Sequence, residues 1–314
     1  MSTPVLVIGE ALVDIVGTAG KFRNGNGKPK AIPGGFAANV AVGLARMGVP
    51  TELVARFGTD PYGDLLGAHL FGNGVQLAPG TVDPGVRTST ATATLDADGV
   101  ASYKFDMTWD PPALSLTRGC PAIHTGSIAM MLEPGATAIR DFLKTVADQP
   151  VTVTLDPNAR PAITPDPVPA WAAVRELAAL SDLVKLSDED CAFFRPGVSL
   201  DDIAAELLTA ERTQCVVITR GGSGALGVGR GLRVEVPAPP IEVVDTVGAG
   251  DSLMAALITG LLTRGLLGGR RLAGMTAEEL REVVDYAVKA AAITCTRHGA
   301  DPPTVAEHTE KWGS

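Results

Sequence analysis

The chain has 314 residues, which is long enough for one large α/β domain or for one domain with a small appendage. A hydrophobic fraction of 46% and a charged fraction of 19% argue against global disorder, and a net charge of −9 argues against broad binding to nucleic acid. Four widely spaced cysteines without a CxxC pair favour reduced thiols and a cytoplasmic location over a disulfide framework or a zinc site. The apolar runs are too short for a signal peptide or a membrane span.

Strand-like and helix-like segments alternate along most of the chain. Continuous apolar runs predict buried strands at residues 5–8, 53–57, 151–155, 183–186 and 215–219. Helical patterns fall between and after them, at residues 37–47, 62–71, 171–180, 200–208, 253–262 and 277–295. Asp60, Ser199 and Thr276 precede three of these helices as predicted caps. The alternation predicts a mostly parallel sheet that is covered by helices on both faces.

One region breaks this alternation. Threonines that alternate with small apolar residues predict a β-hairpin from strands 88–95 and 100–105. Residues 15–32 are rich in Gly and Lys and do not fit a helix. We therefore predict an α/β core from residues 1–14, 33–85 and 111–314, and a small β appendage from residues 15–32 and 86–110.

The strongest local signal is Asp245-Thr246-Val247-Gly248-Ala249-Gly250-Asp251, directly before an apolar helix. Glycines leave the first amides of such a helix open, and these N–H groups together with the helix dipole form an anion site. A carboxylate cannot itself bind the anion, so Asp251 is better suited to take a proton from an attacking hydroxyl while the amides hold a phosphoryl group. The alternative is that Asp251 is an ordinary helix N-cap.

Two further segments are candidates for binding a polyol. Paired glycines in Pro33-Gly34-Gly35-Phe36-Ala37-Ala38-Asn39 allow a ligand to approach the backbone, and the Asn39 amide suits a hydroxyl group. Asp14 follows the first strand, near the sheet edge where open α/β proteins bind ligands. The alternatives are a plain strand-to-helix turn and a solvated loop aspartate.

The segment Thr219-Arg220-Gly221-Gly222-Ser223-Gly224 follows a buried strand and spells part of a GxGxxG pattern. A dinucleotide site needs a helix next, yet residues 225–228 resemble a strand, so we reject a dehydrogenase. A glycine loop under a nucleotide and a simple tight turn both stay open. The sequence contains no P-loop motif, and its four histidines lack metal-ligand spacing.

The order and separation of Gly34–Asn39 and Asp245–Asp251 resemble the ribokinase-like (PfkB) family of sugar kinases, and the resemblance covers nearly the whole chain. It implies a three-layer α/β/α sandwich with a small β-sheet lid, and a homodimer formed through that lid. It also implies an ATP-dependent transfer of the γ-phosphoryl group to a sugar, with Mg²⁺ and with K⁺ as a further ion. The partners are then small molecules, without nucleic acid or membrane.

The resemblance also assigns roles to matching positions. Asp251 becomes the catalytic base, and an anion hole is formed by Gly248, Ala249 and Gly250. The sugar is bound by Asp14, Gly34, Gly35, Asn39, Tyr103 and Arg160. The ATP site is lined by Ser187, Thr219, Gly221, Gly222 and Gly224. A monovalent cation is placed near Asp245, Val247, Thr294, Arg297 and Gly299.

The sequence departs from the family at the segment that positions magnesium through water. The family's Asn-x-x-Glu aligns with Ser187-Asp188-Glu189-Asp190, so Asp190 supplies a shorter carboxylate. Fructokinase-like members often have Ser at the first position.

The substrate is predicted from two segments that resemble known sugar kinases and from one residue that differs from the sugar-acid kinases. Residues 156–161 resemble fructokinases and 2-keto-3-deoxygluconate kinases, and residues 124–127 resemble fructokinases. Lys104 follows Tyr103 where a sugar-acid kinase is expected to carry Arg. We therefore predict a fructokinase. The alternatives are a 2-keto-3-deoxygluconate kinase, a ribokinase or a nucleoside kinase, and a catalytically silent sugar- or nucleotide-binding regulator outside the enzymes.

Overall fold

The computed structural model describes residues 3–16, 29–95 and 101–313, without the side chains of residues 93–95 and 101–103. Within this part of the chain the strands are β1 (Val5–Ile8), β2 (Leu12–Val16), β3 (Lys30–Gly34), β4 (Thr51–Val54), β5 (Gln76–Leu77), β6 (Thr90–Leu95), β7 (Ala101–Asp106), β8 (Ala122–Gly126), β9 (Thr152–Asp156), β10 (Leu183–Ser187), β11 (Cys215–Thr219), β12 (Ala225–Gly229) and β13 (Leu232–Val236). The helices are α1 (Phe36–Arg46), α2 (Pro61–Gly72), α3 (Gly135–Thr145), α4 (Pro167–Ala178), α5 (Asp188–Phe194), α6 (Leu200–Leu207), α7 (Ala249–Thr263), α8 (Ala277–Cys295) and α9 (Val305–Trp312).

The strands form two sheets. The large sheet has the order β13-β12-β11-β10-β9-β8-β1-β4-β5 and is parallel from β11 to β5, with β12 and β13 antiparallel at one edge. The small sheet has the order β3-β2-β6-β7, and β6 and β7 form the predicted antiparallel hairpin. The predicted fold class is confirmed. β2 and β3 reach up to three residues beyond the predicted appendage limits at 15 and 32.

Two apolar cores lie on opposite faces of the large sheet. Alternate residues of each strand face opposite sides, so Val5 and Val7 pack with α1, α7 and α8, whereas Leu6 and Ile8 pack with α3, α4, α5 and α6. The strands are buried on both faces, which explains their continuous apolar sequences. The ends of the parallel strands remain available as one edge where polar residues can meet.

The predicted starts of two helices differ from the structure, one because of its N-cap and the other because of the glycines in its first turn. α4 begins at Pro167, four residues before the predicted start, because Asp166 caps it and proline fits the first turn. α7 begins at Ala249 rather than at 253, so the glycine segment contributes its first turn. β5, β8, β13, α3, α5 and α9 were not predicted. The predicted caps Asp60, Ser199 and Thr276 are confirmed.

None of the helices in the described residues combines the length and the hydropathy that a membrane span requires.

One of the connections between the two sheets passes through Gly35, which links β3 to α1. Its φ is +100°, a conformation that L side chains rarely adopt. A Cβ at this position would lie 2.7 Å from the carbonyl oxygen of Glu10. Glycine is therefore required here both for its backbone conformation and for its size.

We expect Gly35→Ala to destabilise the protein by at least ~2 kcal/mol, since a positive φ and a backbone clash act together. Gly48→Ala is the matched control: its φ is +76°, but no atom lies within 4 Å of the added Cβ, so we expect only ~1 kcal/mol. Urea unfolding of both variants measures the difference. Equal losses in the two variants would show that the contact with Glu10 does not matter.

Candidate active site

Asp251 and Asn39 come together at the carboxyl edge of the large sheet. The Asn39 amide nitrogen donates a hydrogen bond of 2.8 Å to Oδ2 of Asp251, across 212 positions of sequence. Asp251 is 9% exposed and is the third residue of α7. The N-cap is Gly248, without a side-chain cap, so the alternative that Asp251 is an ordinary N-cap is wrong. Its carboxylate is held by Asn39 instead and is available for proton transfer.

Burial raises the pKa of Asp251 above the ordinary value of an aspartate. The hydrogen bond from Asn39 and the positive charges of Arg160 and Lys185 act in the opposite direction and favour the ionised form. A carboxylate with a raised pKa is a stronger base than a solvated one. The local environment therefore suits the role of general base.

The first turn of α7 contains the predicted anion hole. Gly248 adopts φ +75°, and a Cβ there would lie 2.5 Å from Cβ of Ala300, so only glycine fits this turn. The N–H of Ala249 already donates to the carbonyl of Thr246 at 3.2 Å. Gly250 lies in the turn whose N–H groups lack intrahelical acceptors. Of the three predicted residues, Ala249 is thus the least suited to donate to an anion.

A buried ion pair lies beneath this turn. Nζ of Lys185 is 2.9 Å from Oδ2 of Asp156, and the two side chains are 4% and 0% exposed. Nζ of Lys185 is also 3.1 Å from the position that a Cβ on Gly250 would occupy. Burial opposes the charge of Lys185, but the carboxylates of Asp156, Asp190 and Asp251 outweigh it and raise the pKa of the ammonium group. The lysine therefore brings a fixed positive charge to the anion site.

The predicted sugar residues Asp14 and Gly34 lie on paired strands of the small sheet. Asp14 is in β2, and its Oδ2 lies 2.4 Å from the position of a Cβ on Gly34. The side chain is partly buried, so the alternative of a solvated loop aspartate is wrong. Burial raises the pKa of Asp14 to about 6, and the Arg160 guanidinium lowers it. The carboxylate thus lies against Gly34 and is influenced by the charge of Arg160.

Arg160 approaches the same region from the loop after β9. Its Nη1 donates to Oδ1 of Asn158 at 2.7 Å and to the carbonyl of Ala159 at 3.1 Å. Its charge lowers the pKa values of Asp14, Asp251 and Glu10. A small cleft beside it is lined by Ser127, Ile128, Met131, Pro157, Asn158, Ala159, Arg160, Ile163 and Thr164.

Tyr103 belongs to β7, and its side chain lies outside the described residues.

The predicted nucleotide loop follows β11. Arg220 donates its backbone N–H to the carbonyl of Gly224 at 2.7 Å, and a Cβ on Gly224 would lie 2.0 Å from the carbonyl oxygen of Val236. Gly221 and Gly222 are exposed, with open space around them. Thr219 ends β11, and its hydroxyl donates to the carbonyl of Leu186 at 3.4 Å. The loop is thus a tight turn with an open glycine face, and β12 follows it, which excludes the dinucleotide-binding arrangement.

Ser187 and Asp190 form a capping box at the start of α5. Oγ of Ser187 accepts the Asp190 N–H at 3.0 Å, and Oδ2 of Asp190 accepts the Ser187 N–H at 2.8 Å. Oδ1 of Asp190 accepts the N–H of Ala159 at 2.8 Å, which ties the loop of Arg160 to α5. Both residues therefore have structural roles besides those predicted for ATP and magnesium. In the described part of the chain, no three His, Cys, Asp or Glu side chains cluster as metal ligands.

The residues predicted for a monovalent cation are only partly brought together. Asp245 accepts the N–H groups of Val247 at 3.1 Å and of Gly299 at 2.8 Å, so these segments run side by side. The Thr294 hydroxyl instead donates to Ser252, and the Arg297 guanidinium pairs with Asp301 and Glu307. A cation there would have to rely on backbone carbonyl groups.

Sequence reasoning missed Lys185, Asp156 and Glu10 as site residues. Lys185 interrupts an otherwise apolar strand, and a charge within a buried strand requires a partner. Glu10 lies two residues after the end of β1, at the same sheet edge where ligands were expected. These two signals were present in the sequence and could have been used.

The fold and the site together define a kinase that acts on a small polyol, and comparison with known proteins agrees. Residues 2–307 match the model of the pfkB family of carbohydrate kinases. A fructokinase of Escherichia coli is 30% identical over 306 residues, covering 96% of this chain and 95% of that protein. A fructokinase of Rhizobium leguminosarum bv. trifolii is 33% identical over 290 residues, covering 90% and 86%.

Solved structures share the fold of this chain. A fructokinase from Xylella fastidiosa with bound ATP superposes with a TM-score of 0.86 at 22% identity and covers 99% of both chains. A fructokinase from Vibrio cholerae O395, bound to fructose, ADP and calcium, superposes with a TM-score of 0.78 at 25% identity and covers 98% of both. The chain belongs to the pfkB family of carbohydrate kinases. Its predicted enzyme class, an ATP-dependent sugar kinase, is confirmed, and the fold is ribokinase-like.

Proposed function

We propose that this kinase is a fructokinase that transfers the γ-phosphoryl group of ATP to a primary hydroxyl of fructose, with Asp251 as the general base. The observation that carries the proposal is the Asp251 carboxylate, which Asn39 holds at 2.8 Å beside the first turn of α7. The base and the anion site are thus adjacent, as an in-line transfer requires.

The chemistry follows from this arrangement. Asp251 accepts the proton of the sugar hydroxyl, and the oxygen of that hydroxyl forms a bond to the γ-phosphorus of ATP. The bond between the γ-phosphorus and the bridging oxygen breaks, and ADP leaves. The Gly248 and Gly250 amides and the Lys185 ammonium stabilise the negative charge on the transferring group, since preorganised dipoles and charges need no reorganisation during the reaction. Asn39 orients the base.

Mg²⁺ and ATP are the proposed cofactors, and the residues present fit them in part. A bound Mg²⁺ neutralises phosphate charge and usually keeps several waters, so one nearby carboxylate such as Asp190 is sufficient. The exposed glycines 221 and 222 offer an open face for a nucleotide. A K⁺ ion beside Asp245 and Gly299 stays a prediction.

Two observations support fructose over the alternatives. The related enzymes from Escherichia coli and Rhizobium leguminosarum bv. trifolii are fructokinases at 30% and 33% identity. The Vibrio cholerae fructokinase, at 25% identity over nearly the whole chain, binds fructose and ADP. A kinase for 2-keto-3-deoxygluconate is the second candidate, because the Arg160 guanidinium beside the cleft could also pair with a carboxylate.

A substrate panel tests the proposal. ADP formation is measured with fructose, ribose, 2-keto-3-deoxygluconate and a nucleoside, and we expect the highest kcat/KM for fructose. The Asp251→Asn protein, purified in the same way, controls for contaminating kinases. A higher kcat/KM for the sugar acid or for the nucleoside would replace fructose as the substrate. Fructose binding in calorimetry without ADP formation from any acceptor would instead indicate a silent regulator.

The cytoplasmic location and the homodimer through the small sheet stay predictions. The four free cysteines, three of them buried, are in keeping with a reducing compartment.

A further inference from the structure

Glu10 is a buried carboxyl group that the proposed phosphoryl transfer does not use. It follows β1 and is 5% exposed. Its Oε2 atom is buried and has no hydrogen-bond partner among the described residues. Leaving a buried carboxyl oxygen unpaired is costly, and such groups are normally paired in folded proteins. The Ser127 side chain is close enough to lower the pKa of Glu10, so a polar ligand at this point would meet both groups.

A second unpaired polar group lies on the neighbouring strand. Ile8 of β1 pairs with Thr125 of β8, so Glu10 and Ser127 each lie two residues beyond this pair at the same sheet edge. Oγ of Ser127 is buried and also lacks a partner within the described part of the chain. Ser127 has φ 52°, a left-handed conformation that is uncommon for serine. A strained residue with an unpaired hydroxyl is typical of a ligand site.

The two groups adjoin the proposed sugar site. The carbonyl oxygen of Glu10 contacts the Gly35 turn, 2.7 Å from the position of a Cβ there. Ser127 lines the cleft that also contains Asn158 and Arg160. Burial raises the pKa of Glu10 to about 7, although its backbone hydrogen bond, the Ser127 side chain and the charge of Arg160 lower it. The charges of Arg160 and Asp251 thus act on the Glu10 carboxyl group.

We propose that Glu10, together with Ser127, hydrogen-bonds a sugar hydroxyl that is not phosphorylated, and that Glu10 thereby selects substrates carrying a hydroxyl at that position. This inference rests on the proposed function as a sugar kinase. A site with buried polar groups discriminates strongly against an analogue that lacks their hydrogen-bond partner, because the groups are then left unpaired. Glu10 is therefore a specificity-determining residue.

A double-mutant-style cycle, in which both the enzyme and the sugar are varied, tests the inference. The kcat/KM values of the wild type, Glu10→Gln and Glu10→Ala are measured with fructose, 3-deoxyfructose and 4-deoxyfructose, or with the corresponding deoxy forms of the best substrate in the panel. For the wild type we expect one deoxy sugar to lose ~10- to 100-fold in kcat/KM. For Glu10→Ala we expect that difference to shrink to within about threefold, since the contact is already absent.

Glu10→Gln keeps the size of the side chain and so guards against misfolding. Glu278→Gln is the matched control, because Glu278 is exposed in the first turn of α8. This control should keep the wild-type ratios of kcat/KM between the deoxy sugars and the parent sugar. Deoxy-to-parent ratios that are the same in the wild type and both Glu10 variants would overturn the inference, while the sugar-kinase assignment would stand. A wild type that phosphorylates no sugar would instead remove the proposed function and the inference with it.

Discussion

Replacing Asp251 with asparagine is expected to lower kcat by at least ~10²-fold while sugar binding is largely retained, which is the magnitude of general base catalysis. Asparagine keeps an oxygen that can accept the hydrogen bond from Asn39, so the geometry of the site persists. Only the ability to take up a proton is lost. Steady-state kinetics and calorimetric titration with fructose measure the two effects separately.

Two comparisons make this prediction specific. Asp202→Asn alters an exposed aspartate in the first turn of α6 and should leave kcat unchanged. The thermal midpoint of Asp251→Asn should equal or exceed that of the wild type, because a buried carboxylate is replaced by a neutral amide. Turnover within a few-fold of the wild type would exclude Asp251 as the base.

The pH dependence of kcat/KM follows from the same carboxylate. Since burial raises the pKa of Asp251, activity should fall as the pH drops through a value above that of an ordinary aspartate, because protonation removes the base. Asp14 and Glu10 have pKa values of about 6 and 7 and contribute to the same acid limb. The residual activity of Asp251→Asn should therefore show a shallower acid limb than the wild type.

Replacing Lys185 with methionine has the largest expected effect on stability. The change removes the ion-pair partner of Asp156, whose side chain is 0% exposed, and leaves its buried carboxylate with the Asn158 N–H as its hydrogen-bond donor. Breaking a buried ion pair in this way destabilises a protein by ~3–5 kcal/mol. The variant also loses the ammonium group beside Gly250, so kcat/KM should fall by ~10²-fold or more. Urea unfolding and the kinase assay measure the two losses.

The double variant Lys185→Met/Asp156→Leu separates structure from catalysis. It replaces the whole ion pair with apolar groups, which is often neutral for stability, so folding should recover while turnover should not. Lys144→Met is the matched control, since Lys144 is 55% exposed and its surface pairs contribute at most ~1 kcal/mol. If the double variant regained the kcat/KM of the wild type, Lys185 would have only a structural role.

The sequence could predict the elements of this site whose signal is local. The glycines before α7 and α1 are visible as short motifs, and Ala277–Cys295 was predicted with its observed bounds because the Thr276 capping box marks its start. The contact between Asn39 and Asp251 is different, because it joins residues 212 positions apart. Each motif alone was also compatible with a purely structural role, a helix N-cap for Asp251 and a strand-to-helix turn for the glycines before α1. Only the fold shows that Asp251 and Asn39 are in contact.

Burial explains most of what the sequence left unpredicted. Lys185 looked like part of an ordinary strand, since its partner Asp156 lies on a neighbouring strand and pairing is not visible locally. The start of α7 was placed too late because glycine disfavours helix interiors, yet the first turn tolerates it. The start of α4 could have been predicted, because Asp166 followed by Pro167 is a recognised beginning of a helix.

The Gly35 connection has a consequence for the timing of catalysis. A single residue separates the edge strand β3 of the small sheet from α1, and Asn39 lies one turn into that helix. Any displacement of the small sheet as a sugar enters is therefore transmitted over a short, stiff distance to the side chain that orients Asp251. We therefore expect Asp251 to be aligned best when a sugar acceptor is in place. We also expect the hydrolysis of ATP without a sugar to be slow, although no separate gate closes the site.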